Sequence, residues 1–300
     1  MKIGVIGAGS IGMLIGSYLA DCGQEVTMLV RKEVQKKILN EEGITCIQEK
    51  EKSLTVSVDA VTSYEKLVDM QCIIIAVKSQ DVHIVLQNLT KQQIQVPLLF
   101  IQNGLSHVQT VLLYAFPDVA FATVEHGALK QNDTIVHHNG IGKITIGTLR
   151  GDAHKFDVFE QASCKRFPVE RHPNAMHILL RKALINCLIN PLTTILEIPN
   201  GQLVEDNYGH QLMRTLYDEL LEAFPELAED LPFSVVESIC QRTSKNHSSM
   251  YADYLAGRRM EIEPIVSAVI LKAEQNGKTL PLLRTYEKIL LVLDRKARGK

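Results

Sequence analysis

Six residues near the N-terminus have the spacing of a phosphate-binding loop. They follow an apolar run, residues 3–6, precede a helical pattern, and read G-x-G-x-x-G. In that context the first glycine permits a tight turn, the second lets the backbone approach a pyrophosphate, and the third lets the helix pack closely against the strand. The amides and dipole of the helix N-terminus favour the negative charge of the phosphates. The residues assigned to dinucleotide binding are Gly7, Ala8, Gly9, Ser10, Ile11 and Gly12.

The end of the second predicted strand, residues 25–30, indicates which dinucleotide binds. Sites for NAD usually place Asp or Glu at this strand end, where the carboxylate accepts hydrogen bonds from the ribose 2′-OH. Here the residue is Arg31, followed by Lys32. Because a guanidinium cannot accept a hydrogen bond but suits a dianionic phosphate, we expect NADPH as the cofactor, with Arg31 at its 2′-phosphate. The alternative is a pair of solvated surface cations.

A polar stripe lies on a predicted helix in the second half of the chain. Lys182, Asn186 and Asn190 are spaced i, i+4 and i+8, so they share one face of that helix. Most of its other positions are apolar. Because buried polar groups without partners are costly, the stripe either faces water or lines a polar cleft. The spacing alone does not choose between these two.

The first half of the chain alternates short strand patterns with helical ones. Runs at 72–77, 97–101 and 119–124 read as buried strands, with helical patterns near 80–89 and 105–114. This alternation predicts a parallel sheet with helices on both faces. Residues 134–138 and 142–147 resemble a β-hairpin with Asn139-Gly140 as its turn.

Beyond about residue 168 helical patterns dominate, and prolines lie near the predicted helix ends. The predicted helices span 174–190, 208–224, 233–245, 263–276 and 282–297. The fold class is therefore an α/β Rossmann-type dinucleotide-binding domain, residues 1–168, followed by an all-helical C-terminal domain, residues 169–300. Such folds bind ligands outside the carboxyl ends of the strands.

Composition narrows the range of partners and locations. The net charge of −2 gives no global basic field, so we expect neither nucleic acid nor an anionic membrane as a partner. The six cysteines lack metal-site spacing and fit a reducing cytoplasm, and no metal is expected. No signal-peptide core or membrane-spanning run is evident. An apolar face on a late helix is consistent with either a core or a homodimer.

Five motifs, in order and at matching intervals, carry a resemblance that extends from residue 1 to about 285. The chain resembles the ketopantoate reductase (2-dehydropantoate 2-reductase) family. The resemblance implies NADPH-dependent reduction of 2-dehydropantoate to pantoate, the branch that supplies pantothenate and coenzyme A. The motifs are the glycine loop, Gln102-Asn103-Gly104, Lys182-x-x-x-Asn186-x-x-x-Asn190-Pro191-Leu192-Thr193, Ser248-Ser249-Met250-x-x-Asp253 and Glu261-Ile262-Glu263.

The resemblance also implies a role for each matching residue. Lys182 would be the general acid that protonates the substrate carbonyl oxygen. Glu261 would hydrogen-bond the substrate hydroxyl, steady the lysine and lie at the cofactor. Substrate binding would involve Asn103, Asn186, Asn190 and Ser249. Cofactor contacts would come from Lys78 and from Asn103, at the nicotinamide end. Each role has an alternative. Lys182 and Lys78 could be surface lysines, Glu261 a solvated residue and Asn103 a turn residue. For Ser249, the residues without the resemblance favour a helix cap or turn.

Several positions depart from the family pattern, among them Leu180 or Arg181, where an aromatic residue often precedes the lysine. Val266 and Ser267 stand where many members carry Asn-Gly, and Pro264 replaces a bulky residue. These departures leave the proposed acid in place but keep a second hypothesis open, a reductase of another branched 2-oxo acid. A third hypothesis is a redox sensor that binds NADPH without turnover. The polar set at 182, 186, 190, 249 and 261 argues against it, because a sensor does not need an acid at the hydride site.

Overall fold

The computed structural model describes residues 1–48 and 53–299 of the chain. These residues form two compact units. The first, here called the sheet unit, comprises Met1–Gln102 and His107–Leu179. The second, the helical unit, comprises Asn103–Ser106 and the chain from Leu180 onward. The predicted fold class, a Rossmann-type α/β domain followed by helices, is confirmed.

The sheet unit contains strands and helices in alternation, as the sequence predicts. The predicted strands at 72–77, 97–101 and 119–124 are the sixth, seventh and eighth strands. The strands are β1 (Lys2–Ile6), β2 (Glu25–Leu29), β3 (Ile44–Gln48), β4 (Leu54–Val56), β5 (Asp59–Val61), β6 (Cys72–Ile75), β7 (Leu98–Phe100), β8 (Val119–Val124), β9 (Gly127–Lys130), β10 (Ile135–Gly140), β11 (Ile144–Arg150) and β12 (Val169–His172). The helices are α1 (Ser10–Asp21), α2 (Glu33–Glu42), α3 (Val82–Lys91), α4 (Ser106–Leu112) and α5 (Asp157–Gln161).

The main sheet has eight strands in the order β12-β11-β8-β7-β6-β1-β2-β5. All neighbouring pairs from β8 to β5 are parallel, and β11 runs antiparallel to β8. Every residue of β6 and β8 is buried, as expected for strands covered on both faces. Because β1 lies between β6 and β2, the segments that follow these three strands meet at one edge of the sheet.

The predicted hairpin at 134–147 is wrong, since its two strands belong to different sheets. β10 pairs with β3 and β9 in a four-stranded sheet of order β4-β3-β10-β9, whereas β11 pairs with β8 and β12. Side-chain contacts fix β10 in place, because Nδ1 of the buried His138 lies 2.9 Å from the Tyr18 hydroxyl of α1. The Asn139-Gly140 pair is the end of β10 rather than a turn. The local turn signal is overridden by these long-range contacts.

The helical unit matches the predicted helices at 208–224, 233–245, 263–276 and 282–297, with a π-helical turn (Glu263–Ser267) before the helix at 268. A short helix at 249–255 was not predicted. The helices are α6 (Ala175–Leu196), which begins in the sheet unit, α7 (Gln202–Glu205), α8 (Asn207–Ala223), α9 (Phe233–Arg242), α10 (Ser249–Leu255), α11 (Ala268–Gln275) and α12 (Pro281–Arg298).

The predicted end of a helix before Pro191 is wrong, because α6 continues through the proline to Leu196. A proline inside a helix removes one backbone hydrogen bond. Here residues 191–194 are all buried, and the Thr194 hydroxyl donates to the Asn190 carbonyl at 2.7 Å. Packing and side-chain hydrogen bonds therefore override the proline signal. Among the described residues, α6 is also the helix long and apolar enough to cross a membrane, but 72% of its apolar window is buried inside the protein.

A buried histidine on α4 contributes to the pH dependence of the stability of the sheet unit. His107 on α4 is 1% exposed, and its ring packs edge-on against Phe121 with centroids 5.2 Å apart. Within the described part of the chain, neither ring nitrogen has a hydrogen-bond partner. Burial lowers the pKa of His107 to about 3. The folded protein therefore keeps this ring neutral at pH values where the unfolded chain protonates it.

We expect His107→Leu to reduce the pH dependence of stability without abolishing it, because burial also lowers the pKa of His138 and lowers that of His126 to about 4. Below the ordinary histidine pKa of about 6.5, the unfolded chain binds a proton at this position that the folded chain does not. The free energy of unfolding of the wild type therefore falls as the pH falls, and this ring contributes about 2 kcal/mol of the loss between pH 7 and pH 5. Urea denaturation of both proteins at the two pH values measures the difference. An equal loss in wild type and variant would contradict this assignment.

Candidate active site

A hydrogen-bonded chain in the helical unit joins three of the residues singled out from the sequence. Lys182 Nζ donates to Asn103 Oδ1 at 3.0 Å, and Asn103 Nδ2 donates to Glu261 Oε2 at 3.1 Å. The three residues lie 79 and 158 positions apart along the sequence, and all are half-buried. Folding thus places an ammonium and a carboxylate on the two ends of one amide.

The partners fix the orientation of the Asn103 amide. An ammonium can only donate a hydrogen bond, so it requires the amide oxygen, and a carboxylate can only accept one, so it requires the amide nitrogen. A flipped amide would lose both hydrogen bonds. Both hydrogen bonds are charge-assisted, one from the ammonium to the amide oxygen and one from the amide nitrogen to the carboxylate.

A close backbone approach holds Asn103 in this position. The amide of Leu105 donates to the carbonyl of Pro264 at 2.8 Å. Gly104 has φ +76°, and a Cβ atom there would lie 1.8 Å from the same carbonyl oxygen. Only glycine therefore fits between Asn103 and Leu105. Pro264 belongs to the π-helical turn that begins two residues after Glu261. The turn that accepts from the segment of Asn103 is therefore the one that follows Glu261.

The polar stripe of α6 does not lie on a solvated surface. Lys182 and Asn186 are half-buried, and Asn190 is 5% exposed. Within residues 1–48 and 53–299, the Asn190 amide nitrogen has no hydrogen-bond partner. A buried donor without a partner is costly, so it marks a position where a ligand acceptor would be stabilised. This burial argues against the solvated surface, and the polar cleft stays a prediction.

Two adjacent serines have different environments at the start of α10. Ser248 is the N-cap of this helix, because its hydroxyl accepts from the amide of Tyr251 at 3.2 Å. The hydroxyls of Ser248 and Thr193 lie 2.8 Å apart, which ties α10 to α6. Ser249 is the exposed first residue of the helix. The capping role that sequence alone would give to Ser249 therefore belongs to Ser248.

In the sheet unit, the glycine loop has the shape that a pyrophosphate requires. Gly7 has φ +110°, and a Cβ atom on Gly12 would lie 2.0 Å from the Gly7 carbonyl oxygen, so both glycines are needed by the fold itself. A Cβ atom on Gly9 would meet nothing within 4 Å. Gly9 is the N-cap of α1 and makes no side-chain cap, so its open face lies where helix amides attract an anion. The loop therefore fits the phosphates of NADPH.

The predicted cofactor contacts share one edge of the main sheet with this loop. Arg31 follows β2, and Lys78 precedes a 3₁₀ turn, Ser79–Asp81, that follows β6. The Arg31 side chain is 77% exposed, and its Nη2 donates to Asp81 Oδ2 at 2.5 Å. Both cations thus flank the strand from which the glycine loop emerges.

Sequence reasoning missed Lys130, which contacts the glycine loop, and Asp81, which contacts Arg31. The Lys130 ammonium donates to the carbonyl of Ala8 in the glycine loop at 3.2 Å and to Asp133 at 2.9 Å. Lys130 comes from β9, 122 residues away along the chain. No short motif connects such distant positions, so only the fold could reveal this contact.

Comparisons with known proteins agree with the motifs. The family described as "Ketopantoate reductase PanE/ApbA" matches residues 3–151, and "Ketopantoate reductase PanE/ApbA C terminal" matches residues 174–291. A curated 2-dehydropantoate 2-reductase from Listeria monocytogenes is 33% identical over 296 residues, covering 98% of this chain and 97% of that protein. One from Bacillus subtilis is 28% identical over 279 residues, covering 92% of each chain. The crystal structure of a probable 2-dehydropantoate 2-reductase from Bacillus subtilis aligns with a TM-score of 0.87 at 27% identity, covering 98% of this chain and 100% of that chain.

The two glycines Gly9 and Gly12 provide a matched test of the loop. We expect Gly9→Ala to fold normally and to lose at least about tenfold in NADPH affinity, because the added methyl occupies space that only a ligand needs. Gly12→Ala should lose about 1–3 kcal/mol of stability, because its methyl would strike the Gly7 carbonyl. Isothermal titration with NADPH and thermal denaturation separate the two effects. Normal NADPH affinity in Gly9→Ala would show that the glycine loop is not part of the cofactor site.

Proposed function

The chain belongs to the ketopantoate reductase family, and we propose that it catalyses the NADPH-dependent reduction of 2-dehydropantoate to pantoate. The observation that carries this proposal is the Lys182–Asn103–Glu261 chain, which presents a proton donor with a fixed orientation. The loop at Gly9, open to a phosphate group, supports the cofactor. The enzyme is thus an NADP-dependent oxidoreductase whose substrate is a small 2-oxo acid.

Lys182 has the chemistry that ketone reduction requires of the protein. NADPH, when bound, supplies the hydride that adds to the carbonyl carbon. Negative charge then develops on the carbonyl oxygen. The Lys182 ammonium would stabilise that charge and transfer a proton from Nζ to the oxygen, which yields the hydroxyl group. Positioned proton donors of this kind contribute ~10²–10⁴ in rate.

Asn103 and Glu261 are proposed to fix the position of the Lys182 ammonium. The carboxylate of Glu261 fixes the Asn103 amide that accepts from the ammonium, and it can also accept a hydrogen bond from the product hydroxyl. Asn103 would lie at the nicotinamide end of the cofactor as well as at the substrate. Lys78 and Arg31 would complete the cofactor contacts, with Arg31 at the 2′-phosphate.

Asn186, Asn190 and Ser249 are proposed to bind the substrate hydroxyl and carboxylate. The buried, unpartnered amide nitrogen of Asn190, within the part of the chain that the structure describes, is suited to an oxygen acceptor. Asn186 lies one helical turn before it on the same face of α6. Ser249 presents an exposed hydroxyl at the start of α10.

Two of the departures from the family pattern, Val266 and Ser267, lie in the core of the helical unit, whereas Pro264 supplies the carbonyl that accepts from Leu105. Val266 is fully buried, and the Ser267 hydroxyl donates to the carboxylate of Glu287, which is 6% exposed on α12. These side chains are engaged in packing and in a buried hydrogen bond. This supports 2-dehydropantoate over another branched 2-oxo acid, and NADPH oxidation assayed with a panel of 2-oxo acids tests the choice. A higher kcat/KM for a different 2-oxo acid would identify that acid as the substrate. Absence of turnover with every acid of the panel would favour the redox-sensor hypothesis.

We also propose a cytoplasmic location and no nucleic-acid or membrane partner. All six cysteines are free thiols, as a reducing compartment favours. The net charge of −2 does not favour a polyanionic partner. A homodimer stays a prediction, which sedimentation velocity of the purified protein would decide.

The role of Lys182 can be tested against its neighbour on the same helix. We expect Lys182→Ala to fold and bind NADPH while losing ~10²–10⁴ in kcat, because the proton donor is gone. Arg181→Ala is the matched control, since Arg181 donates to the carbonyl of Asp230 instead. Steady-state NADPH oxidation with 2-dehydropantoate gives kcat for each. Near-normal turnover by Lys182→Ala would exclude the proposed mechanism.

The adjacent serines give a second paired prediction. Ser248→Ala should lose about 1 kcal/mol of stability, because it removes the N-cap of α10. Ser249→Ala should keep its stability and NADPH affinity but lower kcat/KM for the 2-oxo acid by roughly tenfold or more, as expected for a lost hydrogen bond to a charged group. Thermal denaturation, NADPH titration and substrate kinetics are measured on both variants. Weakened NADPH binding with normal substrate kinetics in Ser249→Ala would exclude Ser249 from the substrate site.

A further inference from the structure

We propose that Asp81 is a specificity-determining residue, which competes with the 2′-phosphate of NADPH for the guanidinium of Arg31. The inference rests on the proposed function, because it takes NADPH as the cofactor. Asp81 would weaken NADPH binding while leaving NADH binding nearly unchanged. The discrimination between the two cofactors would then be set by an ion pair and not by Arg31 alone.

The ion pair spans the end of the strand that leads into the glycine loop. β1 lies between β6 and β2, Asp81 follows β6, and Arg31 follows β2. The contact between Arg31 Nη2 and Asp81 Oδ2, at 2.5 Å, therefore crosses over the carboxyl end of β1. A dinucleotide held by the glycine loop meets this edge of the sheet. The pair thus lies in the region where the adenosine ribose of the cofactor is expected.

The two side chains of the ion pair differ in their exposure to solvent. The side chain of Asp81 is 23% exposed, whereas that of Arg31 is 77% exposed. Arg31 can therefore turn towards a ligand, while the carboxylate stays at the edge of the sheet. The neighbouring acid, Glu33, is engaged elsewhere, by the Thr62 hydroxyl and by Lys36. Asp81 is accordingly the carboxylate that the structure places on this guanidinium.

The Asp81 carboxylate does not cap the helix that follows it. Asp81 immediately precedes α3, a position where aspartate commonly caps a helix. Its side chain nevertheless accepts no capping hydrogen bond from that helix. Removing the charge should therefore leave α3 intact, so that a change in cofactor binding can be read directly.

Electrostatics gives the direction of the effect. A 2′-phosphate arriving at Arg31 brings up to two negative charges close to the Asp81 carboxylate, and like charges repel. The guanidinium must also redirect donors from the carboxylate to the phosphate. The 2′-OH of NADH is neutral and meets no such repulsion. Because the guanidinium is largely exposed, screening limits the effect on NADPH to about three- to tenfold.

The test uses binding alone, on the full-length protein. Asp81→Asn keeps the size of the side chain and removes its charge. Asp69→Asn, which makes the same change in an exposed turn before β6, is the matched control. Isothermal titration with NADPH, NADH, adenosine 2′,5′-bisphosphate and adenosine 5′-monophosphate is performed on wild type, both variants, Arg31→Ala and the Arg31→Ala/Asp81→Asn double variant. Thermal denaturation checks that each protein is folded.

We expect Asp81→Asn to bind NADPH and the bisphosphate about three- to tenfold more tightly, with NADH and the monophosphate changed by less than about twofold. The gain should shrink at high salt and disappear in the Arg31→Ala background. Unchanged or weaker NADPH binding, or an equal gain in Asp69→Asn, would overturn the role of Asp81. If wild type does not prefer the bisphosphate to the monophosphate, the NADPH assignment itself fails.

Discussion

The proposed chemistry depends on one main-chain hydrogen bond, from the amide of Leu105 to the carbonyl of Pro264. This bond docks the Asn103–Ser106 segment onto the π-helical turn, and the positive φ of Gly104 permits the approach. Asn103 is thereby brought within hydrogen-bonding distance of both Lys182 and Glu261. π-Helical turns recur at functional sites, where the altered spacing of the helix redirects backbone groups. Here the turn supplies the acceptor that holds the central amide of the site.

The same segment explains why an amide, and not a second charged group, lies between lysine and glutamate. An amide has a donor end and an acceptor end, so it satisfies an ammonium and a carboxylate at once. It also keeps the two side chains at fixed positions, which a flexible ion pair would not do. The glycine loop of the sheet unit also divides its roles. Gly7 and Gly12 are required by close backbone contacts, and Gly9 leaves open space for a ligand.

Local signals predicted the elements that short-range chemistry controls. The buried strands, the glycine loop and most late helices follow from apolar runs, glycine spacing and helical periodicity. The hairpin at 134–147 failed because the contacts of His138 and the pairing of β10 with β3 are long-range. The helix end at Pro191 failed because burial overrides a local helix breaker. The i, i+4, i+8 stripe found Lys182 and two asparagines, but only the fold brings Asn103 and Glu261 to that lysine. Lys130 and Asp81 could not be found, because their contacts cross between strands that are remote in sequence.

The most direct measurement is a crystal structure of the enzyme with NADP⁺ and the 2-oxo acid. The account predicts that Lys182 Nζ lies roughly 2.7–3.2 Å from the 2-oxo oxygen, within reach for proton transfer, while Asn103 still bridges Lys182 and Glu261. It also predicts that the amide nitrogen of Asn190 donates to an oxygen of the substrate. A different side chain as the donor to the 2-oxo oxygen, with Lys182 turned away from it, would contradict the central claim.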